Sequence, residues 1–145
     1  MIRLVAKSEI KELGQLWLRA SLRSHDFIPE EYWRQKLPSI EVKYLGGSLV
    51  YVYLTAGAPV GFIAFVKKGF IGGLFVEPSQ QGRGVGRALL TYAQELFNHL
   101  ELDVYARNTR AVKFYQQAGF YLVATHQGDE TGEESLRLRW DKDAV

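Results

Sequence analysis

Glycines at 82, 84 and 86, with arginines at 83 and 87, stand where one apolar run, Leu74 to Val76, gives way to another. Glycine removes the side chains that would hold an anion away from the backbone, and the arginines add positive charge beside it. Gly73 to Val76 has the aromatic and β-branched character of a buried strand, which Pro78 stops. Val85, Leu89, Leu90, Ala93, Leu96 and Phe97 then recur as one face of an amphipathic helix that begins inside the glycine segment. A strand feeding a glycine turn at a helix entrance gathers unpaired N–H groups and the positive end of the helix dipole around one point. The chemistry predicted for Gln81, Gly82, Arg83, Gly84, Val85, Gly86 and Arg87 is the cradling of a pyrophosphate.

Spacing narrows the ligand. A Walker loop needs Lys followed by Ser or Thr after its last glycine, and Gly86 is followed by Arg87 and Ala88. The dinucleotide fingerprint needs a third glycine at Arg87 or at Leu89. Neither nucleotide pattern fits.

The elements that must position this cradle follow from the flanking periodicities. Ile2, Leu4 and Ala6 alternate as an opening strand, and Ser8 is placed to cap a helix with Ile10, Leu13, Leu16, Trp17 and Ala20 on its apolar face. Ser24 to Ile28 breaks that period as a loop; Pro29 opens a second helix with Glu30 and Glu31 at its positive end, which Pro38 should kink or split. Leu49 to Thr55 and Val60 to Lys67 read as a hairpin, and Phe70 to Val76 as the next strand. Beyond the cradle helix come a strand from Leu100 to Tyr105 and a short helix capped by Asn108 and ended by Gly119. Two closing strands, Phe120 to His126 and Leu136 to Trp140, flank a polar loop. The predicted fold class is α/β (α+β): a mixed, mostly antiparallel sheet of about seven strands in the order β-α-α-β-β-β-α-β-α-β-β.

At 145 residues the chain is expected to form a single domain, residues 1–145. A net charge of +2 with no basic run beyond Lys67-Lys68 argues against nucleic acid, and nothing in the charge balance calls for a membrane. The absence of cysteine excludes disulfides, thiolate metal sites and a cysteine nucleophile. No metal site is read, no leader or bilayer-length apolar run is present, and a cytoplasmic protein, monomer or homodimer, is the expectation.

Gln81-x-x-Gly84-x-Gly86 after Val76-Glu77-Pro78 resembles the acetyl-coenzyme A signature of the GNAT superfamily of N-acetyltransferases. Asn108-x-x-Ala111-x-x-Phe114-Tyr115-x-x-x-Gly119-Phe120 resembles that family's other diagnostic segment, in the family's order, and the chain looks like its small single-domain bacterial members. The resemblance implies that backbone groups of Phe75 and Val76 pair with the pantetheine arm of acetyl-coenzyme A (acetyl-CoA). It implies that Gln81 to Arg87 hold the pyrophosphate, that Asn108 bonds the pantetheine, and that Tyr115 approaches the sulfur. A phenol there can donate a proton as the C–S bond breaks. By position alone Tyr115 is equally a core aromatic, and Asn108 a helix cap.

The implied reaction is direct acetyl transfer to a primary amine, on a protein or peptide or in a small molecule. A protonated amine has no lone pair, so a proton must first be lost, through a water chain ending at a carboxylate or imidazole. Glu77, at the strand end, and His25, in the loop that borders the acceptor site in this family, are the candidate bases. The Val76 N–H is the simplest partner for the oxyanion. His25, Phe27, Tyr32 and Trp33 are the candidate acceptor-binding residues, with Tyr32 and Trp33 serving equally well as core. Asp129, Glu130, Glu133 and Glu134 make the loop between the closing strands acidic, which suits a cationic amine or simply a solvated loop. A non-catalytic acyl-CoA sensor or protein-interaction module is the alternative, and an intact Tyr115 speaks against it.

Overall fold

In the computed structural model, which describes residues 1–127 and 130–143, two α-helices follow the first strand and two more are set among the later strands. The order is β1 (Ile2–Leu4), α1 (Ile10–Ser24), α2 (Glu30–Ser39), a π-helical turn (Ile40–Leu45), β2 (Leu49–Thr55), β3 (Ala58–Lys67), β4 (Phe70–Val76), α3 (Val85–Leu96), β5 (His99–Tyr105), α4 (Thr109–Gln117), β6 (Tyr121–His126) and β7 (Ser135–Asp141). This is the order expected from periodicity. The differences are local. β3 begins at Ala58 because Ala56 and Gly57 both take positive φ, 51° and 80°, and close a two-residue hairpin turn. Ser8 is not the cap of α1: the Ala6 N–H donates to Glu9 Oε1 at 2.8 Å, and Arg3 clamps the same carboxylate with two hydrogen bonds. The α-helix does not outlast Pro38: α2 stops at Ser39 and the chain continues as the π-helical turn, so the helical region divides where Pro38 is expected to kink or split it.

Among the described residues, the strands form one sheet in the order β1-β2-β3-β4-β5-β7-β6. Neighbours are antiparallel except β4 and β5, which the α3 crossover makes parallel. That pair touches only at Phe70–Glu101 and Ile71–Leu102. Gly72 then has no partner between the pairs Ala64–Gly73 and Phe65–Ile71, a bulge that bends β4, and from there β4 and β5 part. The sheet is therefore open in its middle.

Two apolar cores hold the opening in place. On one face α3 buries Val85, Leu89, Leu90 and Ala93 against Ile63, Ile71 and Leu102, in a cluster that also holds Tyr115 from α4. On the other, α1 buries Leu13, Leu16 and Trp17 against Val52, Phe62 and Ala64, with Trp33 from α2. Each fully buried Leu or Phe contributes about 2 kcal/mol, so both helix pairs are fixed against the sheet and the gap lies between rigid walls. No helix among the described residues is long and apolar enough to cross a membrane.

Candidate active site

Where β4 leaves β5, a cleft of about 1280 Å³ runs from the α3 entrance, through the parted strands, to the loop between α1 and α2. β4 lines it with Phe75 and Val76, the turn with Gln81, Gly82 and Gly84, and the first turn of α3 with Val85, Gly86 and Arg87. Asn108 and Tyr115 line it from α4, and His25, Phe27, Tyr32 and Trp33 from the far side. Residues far apart in sequence thus share one cavity.

The cradle has the predicted form. Gly82 and Gly84 take φ of 80° and 86°, a region costly for other residues, and nothing lies within 4 Å of where their Cβ atoms would stand. Glycine is required here by conformation and by clearance for a ligand, not by crowding from protein. The first amide of α3 with a helical acceptor is Ala88, bonded to Gly84 O at 3.0 Å, which leaves the amides of Val85, Gly86 and Arg87 pointing out of the helix end. Gln81 ties the turn to the strand by donating from Nε2 to Val76 O at 3.4 Å. Arg83 is exposed and does not line the cleft, contrary to its assignment with the rest of the segment. It faces solvent at the turn's tip.

Strand register corrects a second assignment. The Glu77 N–H donates to Val60 O at 2.8 Å, so strand alternation turns the backbone groups of Phe75 toward β3, opposite Phe62. The backbone groups of Val76 and Leu74 point the other way, into the opening. Phe75 reaches the cleft through its ring, and Leu74 takes the place expected of its backbone. The sequence carries the two-residue period but not its phase, which the Glu77–Val60 bond sets.

Tyr115 is 8% exposed and packs edge-on against Phe114 and Phe120. Burial pushes its pKa well above that of a free phenol, which keeps it protonated and able to donate.

Asn108 caps α4, its Oδ1 accepting from Ala111 N at 3.3 Å. That bond fixes the amide's orientation, so Nδ2 is the atom 3.2 Å from His25 Nε2, and it donates. His25 Nε2 is therefore bare and the ring proton sits on Nδ1, which is buried without a partner. The ring lies stacked on Trp33, with Phe27 and Tyr105 edge-on. Burial lowers its pKa from 6.5 to about 4. A neutral imidazole whose one lone pair is already engaged is a poor base. The second Nδ2 hydrogen of Asn108 stays available to a ligand.

Glu77 does not meet the expectation of a base either. Arg19 from α1 grips its carboxylate with two hydrogen bonds of 2.8 and 2.7 Å, and Glu77 does not line the cleft. Two acids of the acidic loop, Glu130 and Glu133, are likewise engaged. Glu130 accepts from Tyr32 Oη at 2.7 Å and pairs with Lys36, and Glu133 pairs with Arg107, whose guanidinium lies over the Phe27 ring. Asp129 lies outside the described residues. Sequence reasoning missed this latch because no local spacing joins α2 to a loop nearly a hundred residues later.

The parted parallel strands, the open amides at one end and the buried phenol in the wall are the features that the resemblance to N-acetyltransferases calls for. Residues 10–120 match the acetyltransferase (GNAT) family. Peptidyl-lysine N-acetyltransferase YiaC of Escherichia coli strain K12 is 35% identical over 97% of this chain and 96% of its own length. Peptidyl-lysine N-acetyltransferase YjaB of the same strain is 31% identical over 91% of this chain and 89% of its own. The solution structure of the apo form of YjaB from Escherichia coli superposes with a TM-score of 0.86 at 28% identity, covering 97% of this chain and 96% of that one. The chain belongs to the GNAT family and is an N-acetyltransferase that uses acetyl-CoA.

Proposed function

We propose that the acceptor is the side-chain amine of a lysine in a protein or peptide, which attacks acetyl-CoA directly. The observation that carries this reading is the continuity of the parted strands with an aromatic mouth built by Phe27, Tyr32 and Trp33. Such rings pack the aliphatic stem of a lysine while the amine reaches the vertex. The names of YiaC and YjaB support the same acceptor class.

Acetyl-CoA, when bound, supplies the activated acyl group. The amides at the entrance of α3, with Arg87, hold its diphosphate, and the backbone groups of Val76 and Leu74, with the remaining Asn108 N–H, line the arm. Of the two N–H groups that face the opening, that of Leu74 adjoins Gly73 at the vertex and meets the oxyanion, in place of Val76 three residues along the strand. Tyr115 holds its proton at neutral pH and passes it to the departing sulfur. Of the cleft-lining carboxylates among the described residues, Asp103 is paired with Arg137 and Glu130 with Lys36, while Asp26 has no ion partner. Asp26 is the carboxylate at which a water chain from the amine ends.

Incubation with acetyl-CoA and a panel of lysine peptides, polyamines and free amino acids, read by mass spectrometry, tests the reading. Acetyl on lysine Nε is the expected product. Turnover confined to small amines, or cofactor binding without turnover on any amine, would overturn it.

A further inference from the structure

Tyr44, in the π-helical turn, ends in a hydroxyl that is buried and makes no hydrogen bond. An orphaned buried hydroxyl is costly to a fold and calls for a partner. Its position is specific. A Cβ at Gly73 would overlap this oxygen, and one at Gly72 would lie 3.2 Å from it. The two glycines sit at the β4 bulge, where β4 and β5 separate, and both line the cleft. Neither carries a side chain to shield the hydroxyl from the vertex of the opening. The phenol oxygen thus lies just behind the two cleft-lining glycines, beside the Phe75 ring that also crowds Gly73, one layer from the gap rather than in its wall.

The surroundings say which face it serves. Tyr44 packs with the cluster under α1 and α2, on the face where the acceptor mouth lies, whereas Tyr115 belongs to the cluster under α3. Burial raises the Tyr44 pKa, and the Tyr115 phenol adds to that rise from across the sheet. Both phenols keep their protons. One stands on each side of the vertex.

We propose that the Tyr44 hydroxyl is a second contact for the acyl group, donating a hydrogen bond to the thioester carbonyl at the vertex of the β4–β5 opening. The inference rests on the reading that the arm of acetyl-CoA occupies this opening. Its partner is the carbonyl oxygen, so its consequence is preference for the acylated over the free thiol form. Tyr115, facing the other side, acts on the sulfur. The two phenols therefore divide the thioester between them.

Calorimetry of wild type and Tyr44→Phe with acetyl-CoA, free coenzyme A and the thioether S-ethyl-coenzyme A separates the outcomes. Tyr44→Phe is expected to weaken acetyl-CoA about three- to tenfold, the worth of one net hydrogen bond, and to leave the two ligands without a carbonyl unchanged. Its ligand-free melting temperature should be equal to the wild type's or higher, because an unsatisfied hydroxyl has been removed. Equal weakening of all three ligands, or of none, would overturn the inference, as would a fall in the ligand-free melting temperature, which would assign the hydroxyl to the fold. If the wild type bound none of the three, the cofactor reading itself would fall and this inference with it.

Discussion

Asn108 and His25 lie on elements 83 residues apart in sequence, and the Asn108 amide reaches 3.2 Å across the cleft wall to donate to the bare Nε2 of His25. Because Asn108 also caps α4, the start of one helix determines the tautomer of a histidine at the end of another. Protonating His25 would set two donors against each other.

The consequence for pH is direct. His25 titrates at about 4 in the folded chain and near 6.5 unfolded, so between these values only the unfolded state binds the proton. Stability is full above pH 6.5 and falls on acidification toward pH 4, by up to about 2 kcal/mol at pH 5 from this group. Urea unfolding at pH 7 and pH 5 should show this loss in wild type and a smaller one in His25→Phe. The pH profile of kcat/KM should lack an imidazole inflection near 6.5.

Removing the Tyr115 hydroxyl removes a proton donor used only as the C–S bond breaks. Tyr115→Phe should lower kcat about 100-fold with little change in acetyl-CoA affinity. Thiol release and calorimetry on the same preparation check both halves. A kcat within twofold of wild type would take Tyr115 out of the chemistry.

Arg19 and Glu77 brace α1 against the end of β4. Their side chains are 51% and 21% exposed, which limits the pair to about 1 kcal/mol. Glu77→Gln should lower the melting temperature by about 3 °C and reduce turnover less than tenfold. A loss near 100-fold would restore Glu77 as the base.

The Glu130 latch on Tyr32 and Lys36 shapes the acceptor mouth without touching the cradle. Glu130→Gln should raise KM for a lysine peptide severalfold and leave acetyl-CoA affinity alone. Steady-state kinetics with each substrate varied in turn distinguishes this from a general loss of structure, which would move both constants.

The order of the strands and helices was legible because each carries its own period and punctuation: Pro29 before α2, Asn108 before α4, glycine before α3. The glycine turn at the α3 entrance was legible for the same reason, being one continuous segment. What escaped were pairings set by tertiary packing. Tyr44 reads as one more apolar residue on a helical stripe until the fold shows its buried hydroxyl behind Gly72 and Gly73 at the β4 bulge. Glu77 and His25 both offer suitable chemistry in sequence, and only the fold shows that Arg19 and Asn108 have engaged them. The contact of Ala6 and Arg3 with Glu9 displaced Ser8 by the same logic, since a carboxylate held by three donors outcompetes a hydroxyl.

Amide shifts in a proton–nitrogen correlation spectrum, followed during titration with acetyl-CoA, test the central claim most directly. The largest changes should fall at Gly82 to Arg87 and at Leu74 and Val76, with Phe75, whose amide faces β3, moving less. Saturable binding whose shifts lie elsewhere, or no binding, would contradict the assignment of the β4–β5 opening to the cofactor.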